Sequence, residues 1–141
     1  MAIKMRVLYA SSKKKIATMA SMIKAEYDLA INAVDKIPPA YSCNNERLVV
    51  LMLSLKGAPE DQLRLFCQEL TAARAHNVAL VIDGNEAAAN KMKEILVKAG
   101  TKVVDEVHYV KCSMFSFLDS IKPEEQEALL AWTHRIVDNL Q

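Results

Sequence analysis

Residues 46–66 read ERLVVLMLSLKGAPEDQLRLF, and the architecture can be worked out from them. From Leu48 to Leu53 it is apolar without a break, which suits a strand covered on both faces rather than one with a face in water. The loop Ser54 to Ala58 follows. Beyond it, Pro59-Glu60-Asp61 reads as a helix start, because a first turn has no use for the amide that proline lacks and acids suit the positive end of the helix dipole. Leu63, Phe66, Cys67 and Leu70 then fall at steps of three and four, on one face of that helix. A buried strand leading through a short loop into an amphipathic helix is half of a parallel crossover.

The same alternation extends in both directions. Short runs rich in Val, Ile and Leu occur at Met5 to Tyr9, Leu29 to Val34, Val78 to Ile82 and Lys102 to His108. Between them Ile16, Met19, Ala20, Ile23 and Tyr27 make one helical stripe, and Ala88, Met92, Ile95, Leu96 and Ala99 make another that Gly100 stops. A last helix begins at Pro123-Glu124-Glu125 and turns Leu129, Trp132, Thr133, Ile136, Val137 and Leu140 inward. The segment Asp35 to Asn45, with Pro38 and Pro39 adjacent, carries no stripe and reads as an irregular crossover. Strands alternating with helices predict a three-layer α/β architecture: a doubly wound, five-stranded parallel sheet in the order 2-1-3-4-5. With 141 residues, 52% of them apolar, the chain is expected to form a single domain over residues 1–141.

Composition narrows the function classes. A net charge of +1 gives no overall field for nucleic acid. No apolar run approaches membrane-spanning length, and Lys4 and Arg6 interrupt the opening stretch before it reaches the length of a signal-peptide core. Cys43, Cys67 and Cys112 are odd in number and widely spaced, unlike a zinc site or a CxxC motif, and are expected as reduced thiols in a cytoplasmic protein. His76, His108 and His134 fall on separate elements, which argues against a shared metal. No Ser/His/Asp, Cys/His or paired-carboxylate arrangement supports hydrolytic chemistry.

In a sheet of this order, ligands bind beyond the carboxyl ends of the strands where the order reverses. The loops placed there are Ala10 to Lys15, Ser54 to Ala58 and Asp83 to Glu86. A phosphoacceptor receiver needs acids after its first strand and an aspartate ending its third, whereas this chain has Ala10-Ser11 and Ser54. A cysteine-type sugar phosphotransfer domain needs a thiol after its first strand, and none stands there.

The segment VLYASSKKKIATMA resembles the start of a flavodoxin, where a strand runs into a [ST]-x-T-G-x-T loop and then a helix. Lys56-Gly57-Ala58-Pro59 is similar to the Lys-Gly-Thr-Pro after the third strand of short bacterial flavodoxin-like proteins. The resemblance in element order covers nearly the whole chain; the motif resemblance covers these two loops. It implies a flavodoxin-like fold and FMN as cofactor, with the first loop wrapping the flavin phosphate at a helix amino terminus. In that register Ser11 keeps the first hydroxyl, Lys13 replaces the second, Lys14 the glycine and Ile16 the last hydroxyl. The glycine would let backbone approach the phosphate without an intervening side chain. Neither ring-side loop holds an aromatic residue, which leaves Gly57 and Gly84 as places of backbone approach and Tyr41 or Tyr109 as residues that could swing in.

Two readings stand. In the preferred one, the chain is a non-catalytic binding or interaction module whose basic loop of Ser11, Ser12, Lys13, Lys14 and Lys15 engages a phosphate-bearing ligand or an acidic protein partner. In the alternative it is a small FMN electron carrier, with lysine charge in place of the lost hydroxyls and Lys56, Gly57, Gly84 and Asn85 beside the ring. Each candidate also has a plainer explanation. Lys13 to Lys15 suit a solvated basic loop, and Asp83-Gly84-Asn85-Glu86 reads as a turn with a helix cap.

Overall fold

Every residue from Leu48 to Leu53 is fully buried, as the unbroken apolar run requires. The computed structural model describes residues 3–113 and 120–140. In chain order these form β1 (Met5–Ala10), α1 (Lys14–Glu26), a 3-10 turn (Ile31–Ala33), β2 (Val34–Lys36), β3 (Leu48–Ser54), α2 (Asp61–Gln68), β4 (Asn77–Asp83), α3 (Glu86–Ala99), β5 (Lys102–Val103), β6 (His108–Val110) and α4 (Pro123–Asp138). The sheet is parallel, in the order β2-β1-β3-β4-β5, with β6 also paired to β4. This is the expected doubly wound, 2-1-3-4-5 arrangement.

Side-chain alternation along the central strands divides the core in two. Leu8, Val49, Leu51, Leu53, Leu80 and Ile82 meet the inner faces of α2 and α3, among them Leu63, Cys67, Met92 and Leu96. Met5, Val7, Val50, Met52 and Val81 meet Ile16, Met19 and Ile23 of α1 and Leu129, Trp132 and Ile136 of α4. Gly100 ends α3 at φ +114°, the left-handed conformation that its sequence position predicts. Among the described residues, no helix is long and apolar enough to cross a membrane.

Three boundaries differ from the sequence expectation. The second strand, expected at Leu29 to Val34, is the shorter and later Val34–Lys36, preceded by a 3-10 turn. Asp28, at φ 50°, turns the chain out of α1, and Ile31 stands 82% exposed, so the apolar run is not an alternating strand. The fifth strand is not one run from Lys102 to His108. As β4 advances from Val78 to Val81, its neighbour advances from Val103 to His108, and the two surplus residues bulge outward at Asp105-Glu106. Side chains satisfy the bulge: Lys93 Nζ donates to the Asp105 carbonyl at 3.2 Å and Trp132 Nε1 to the Glu106 carbonyl at 2.9 Å. Finally, α2 begins at Asp61 with Glu60 as its extended N-cap, so Pro59 precedes the helix, whereas Pro123 does occupy the first turn of α4.

Candidate functional site: a closed crest at the carboxyl ends of the strands

The register places three strand ends level. Ala10 pairs with Leu53, and Ser54 with Asp83, so Ser11, Ser54 and Asp83 form a row across the crest. Ser54 Oγ donates to one Asp83 carboxylate oxygen at 2.8 Å and lies 2.6 Å from Ser11 Oγ. A hydroxyl has one proton, and with that of Ser54 committed to Asp83, Ser11 is the donor to Ser54. Ser11 Oγ in turn accepts the Lys13 amide at 3.0 Å. The bonds thus run one way: Lys13 N–H to Ser11, Ser11 to Ser54, Ser54 to Asp83. The other Asp83 oxygen accepts the Cys112 amide at 3.4 Å.

The basic loop is engaged as well. Lys13, the N-cap of α1, sends Nζ to the Ser113 carbonyl at 3.1 Å. Lys15 is buried, with Nζ 2.9 Å from the Lys111 carbonyl and 2.7 Å from Glu125 Oε2. The other Glu125 oxygen accepts the Lys122 amide at 3.2 Å, in the first turn of α4. The hydrogen bond from Lys15 holds the Glu125 carboxyl below the usual carboxylate range, and the Lys122 amide adds to this. Lysines that oppose the dipole of α1 therefore clip its first turn to the chain after β6 and to α4. Ser12 and Lys14 remain exposed.

Of the ring-side candidates, Lys56 and Gly57 lie exposed on the rim, and a Cβ on Gly57 would meet none of the described residues within 4 Å. Asn85 caps α3, its Oδ1 accepting the Ala88 amide at 2.9 Å, in line with the turn-and-cap reading. A Cβ on Gly84 would stand 2.8 Å from the Leu55 carbonyl oxygen, where the Leu55 amide already donates to the Asp83 carbonyl. Gly84 thus lets the loops after β3 and β4 lie against each other. Gly84→Ala is expected to cost about 1–3 kcal/mol of stability through that backbone clash, while Gly57→Ala stays within about 0.5 kcal/mol of the parent; urea denaturation of the two variants checks both.

Tyr109 is exposed on β6 beside Ile82, close to the crest. Tyr41 is not available to it. Its carbonyl binds Arg6 near the amino end of β1, about 16 Å along the strand from Ser11 at the usual rise per residue. The crossover after β2 runs back down the sheet and carries Tyr41 away from the crest.

No family model, curated protein or solved structure matches the chain. What the crest can do follows from its own groups. Ser54 and Asp83, which the sequence placed in the ligand-side loops without a binding role, and Glu125, which it did not single out for the site, organise it, and two of the three are carboxylates. A phosphate seated above Ser11 would meet like charge there, although lysines stand nearby. Among the described residues, no cluster of His, Cys, Asp or Glu is arranged to hold a metal ion.

Proposed function

We propose that this chain is a flavodoxin-like module that has lost the FMN phosphate cradle and works by surface contact, presenting the lysine-rich side of its crest to an acidic protein partner. One observation carries this reading. Ser11, Lys13 and Lys15, three of the loop residues that would face a phosphate in the resembled family, are bonded to the chain itself: the Lys13 amide to Ser11 Oγ, the Ser11 hydroxyl to Ser54, and the Lys13 and Lys15 ammonium groups to the carbonyls of Ser113 and Lys111. Lys14, Lys111 and Lys122 are exposed around the same helix starts and supply outward positive charge. A partner bound through them is held by long-range, salt-sensitive attraction rather than by a fitted pocket.

Titration of the chain with polyglutamate, followed by amide resonances, tests this. Shifts are expected at Lys14, Lys111 and Lys122, fading as salt is raised, and the double charge reversal Lys14→Glu with Lys122→Glu should abolish them. Shifts elsewhere, or an undiminished response after charge reversal, would overturn the reading.

A further inference from the structure

At the opposite end of the sheet, Arg6 occupies a strand position whose neighbours Met5 and Val7 point into the α1/α4 core, so its own side chain leaves the other face. It is only 8% exposed. Nη1 donates to the Tyr41 carbonyl at 3.2 Å, while Nε and Nη2 are buried with no hydrogen-bond partner among the described residues. A guanidinium keeps its charge in a protein, and two buried donors on it without a partner call for an explanation. Neighbouring carboxylates do not supply one. Hydrogen bonds from the Ala40 and Lys36 amides, and after them the Arg6 charge, hold the Asp35 carboxyl below its ordinary value, but among the described residues no hydrogen bond or ion pair joins Arg6 to Asp35 or Glu46.

The two unpartnered nitrogens share one edge of the planar guanidinium, the edge that receives a carboxylate side-on through two parallel bonds. Arg6 also lines a cavity of about 350 Å³, whose mostly apolar wall includes Tyr27, Leu29, Ala30, Ala33 and Tyr41. That volume falls within the range of small-molecule sites, which combine an apolar wall with a few placed polar groups. We propose that this cavity binds a small organic carboxylate, its oxygens on the Nε/Nη2 edge of Arg6 and its hydrocarbon or aromatic body against Leu29, Ala30 and Ala33. A monoanion fits better than phosphate, because Asp28 and Glu46 line the cavity together with Lys4 and Arg6, so the charged lining balances and offers no positive excess for a second negative charge. The edge is out of solvent contact, so binding requires the crossover that carries Tyr41 to shift, in a segment with neither helix nor strand between Ile37 and Arg47. The site is remote from the crest and stands independently of the function proposed there.

Titration of the full chain with benzoate, followed through the Arg6 Nε–H and the Ala30 and Ala33 amides, is the test. Saturable shifts are expected, and benzyl alcohol, which keeps the ring but not the charge, should bind at least about tenfold more weakly for want of the charge-assisted pair. Arg6→Met should lose benzoate to a similar degree. Ala30→Trp, which fills the cavity from its exposed rim with Arg6 intact, should also lose it and carries the test if Arg6→Met does not fold. Absence of saturation, tighter binding of inorganic phosphate than of benzoate, or undiminished binding by Arg6→Met would each overturn the proposal.

Discussion

Trp132→Ala is expected to lower the unfolding free energy by about 3–5 kcal/mol, the range for emptying a large aromatic site in a core. The chain's single tryptophan is fully buried among Ile16, Met19 and the inner residues of β3 and β4. Its Nε1 also satisfies the Glu106 carbonyl at the bulge between β5 and β6, so one side chain both docks α4 and secures the edge of the sheet. Trp132→Phe separates the two roles: it keeps most of the ring but leaves that carbonyl unbonded, at a cost of about 1–3 kcal/mol. Urea denaturation read by circular dichroism gives both values. Beside Trp132, at a ring separation of 5.5 Å, burial holds His108 below the usual imidazole range, with the Arg135 charge adding to it. A depressed histidine must take up a proton more readily once unfolded. Its contribution to stability is therefore present above the ordinary value of 6.5 and is lost as pH falls from there through the lower folded value.

Lys15→Ala should cost about 2–3 kcal/mol, less than breaking a fully buried pair because Glu125 is 30% exposed. The substitution removes the ammonium from Glu125 and from the Lys111 carbonyl together, loosening the tie between α1, the chain after β6 and α4. Glu125→Gln keeps an acceptor for the Lys122 amide but sets a neutral group against the Lys15 charge. A double-mutant cycle of the two should show a coupling above about 1 kcal/mol, since the groups touch. The pH dependence has a definite sign. Because the folded Glu125 carboxyl lies below its ordinary value of 4.5, its contribution is complete above that value and disappears as acid drives pH down through the folded one. The stability gap between the parent and Glu125→Gln should accordingly narrow in acid. A gap that widened there would contradict the pairing.

The elements that were legible in the sequence are those whose burial leaves no choice. β3 and β4 are covered on both faces, and their apolar runs predict their spans to within a residue at each end. The edges were less legible. Among the described strands Val34–Lys36 has only β1 beside it, so few contacts constrain its start, and the exposed Ile31 gave the run before it a misleading strand-like composition. The break between β5 and β6 depends on a tryptophan and a lysine from two helices meeting the bulge carbonyls, a contact with no local signal. At the crest, the basic helix start was visible but the direction of its charges was not, because Lys13 and Lys15 reach carbonyls about a hundred residues downstream. The sequence placed Ser54 and Asp83 at the crest, and their pairing could have been foreseen: each is the polar residue ending an apolar strand, and neighbouring parallel strands in level register bring such residues together. Arg6 shows in sequence only as a charge interrupting an apolar run. Its unpartnered edge is a property of the fold.

The direct measurement of whether the crest is closed from within is equilibrium dialysis of the purified chain against FMN, with flavin fluorescence read on both sides. The expected result is equal flavin on the two sides with unquenched fluorescence, because Ser11, Lys13 and Lys15 are bonded internally and Asp83 and Glu125 stand nearby. Stoichiometric retention of quenched flavin by the protein, lost on replacing Lys13, Lys14 and Lys15 together with alanine, would contradict it.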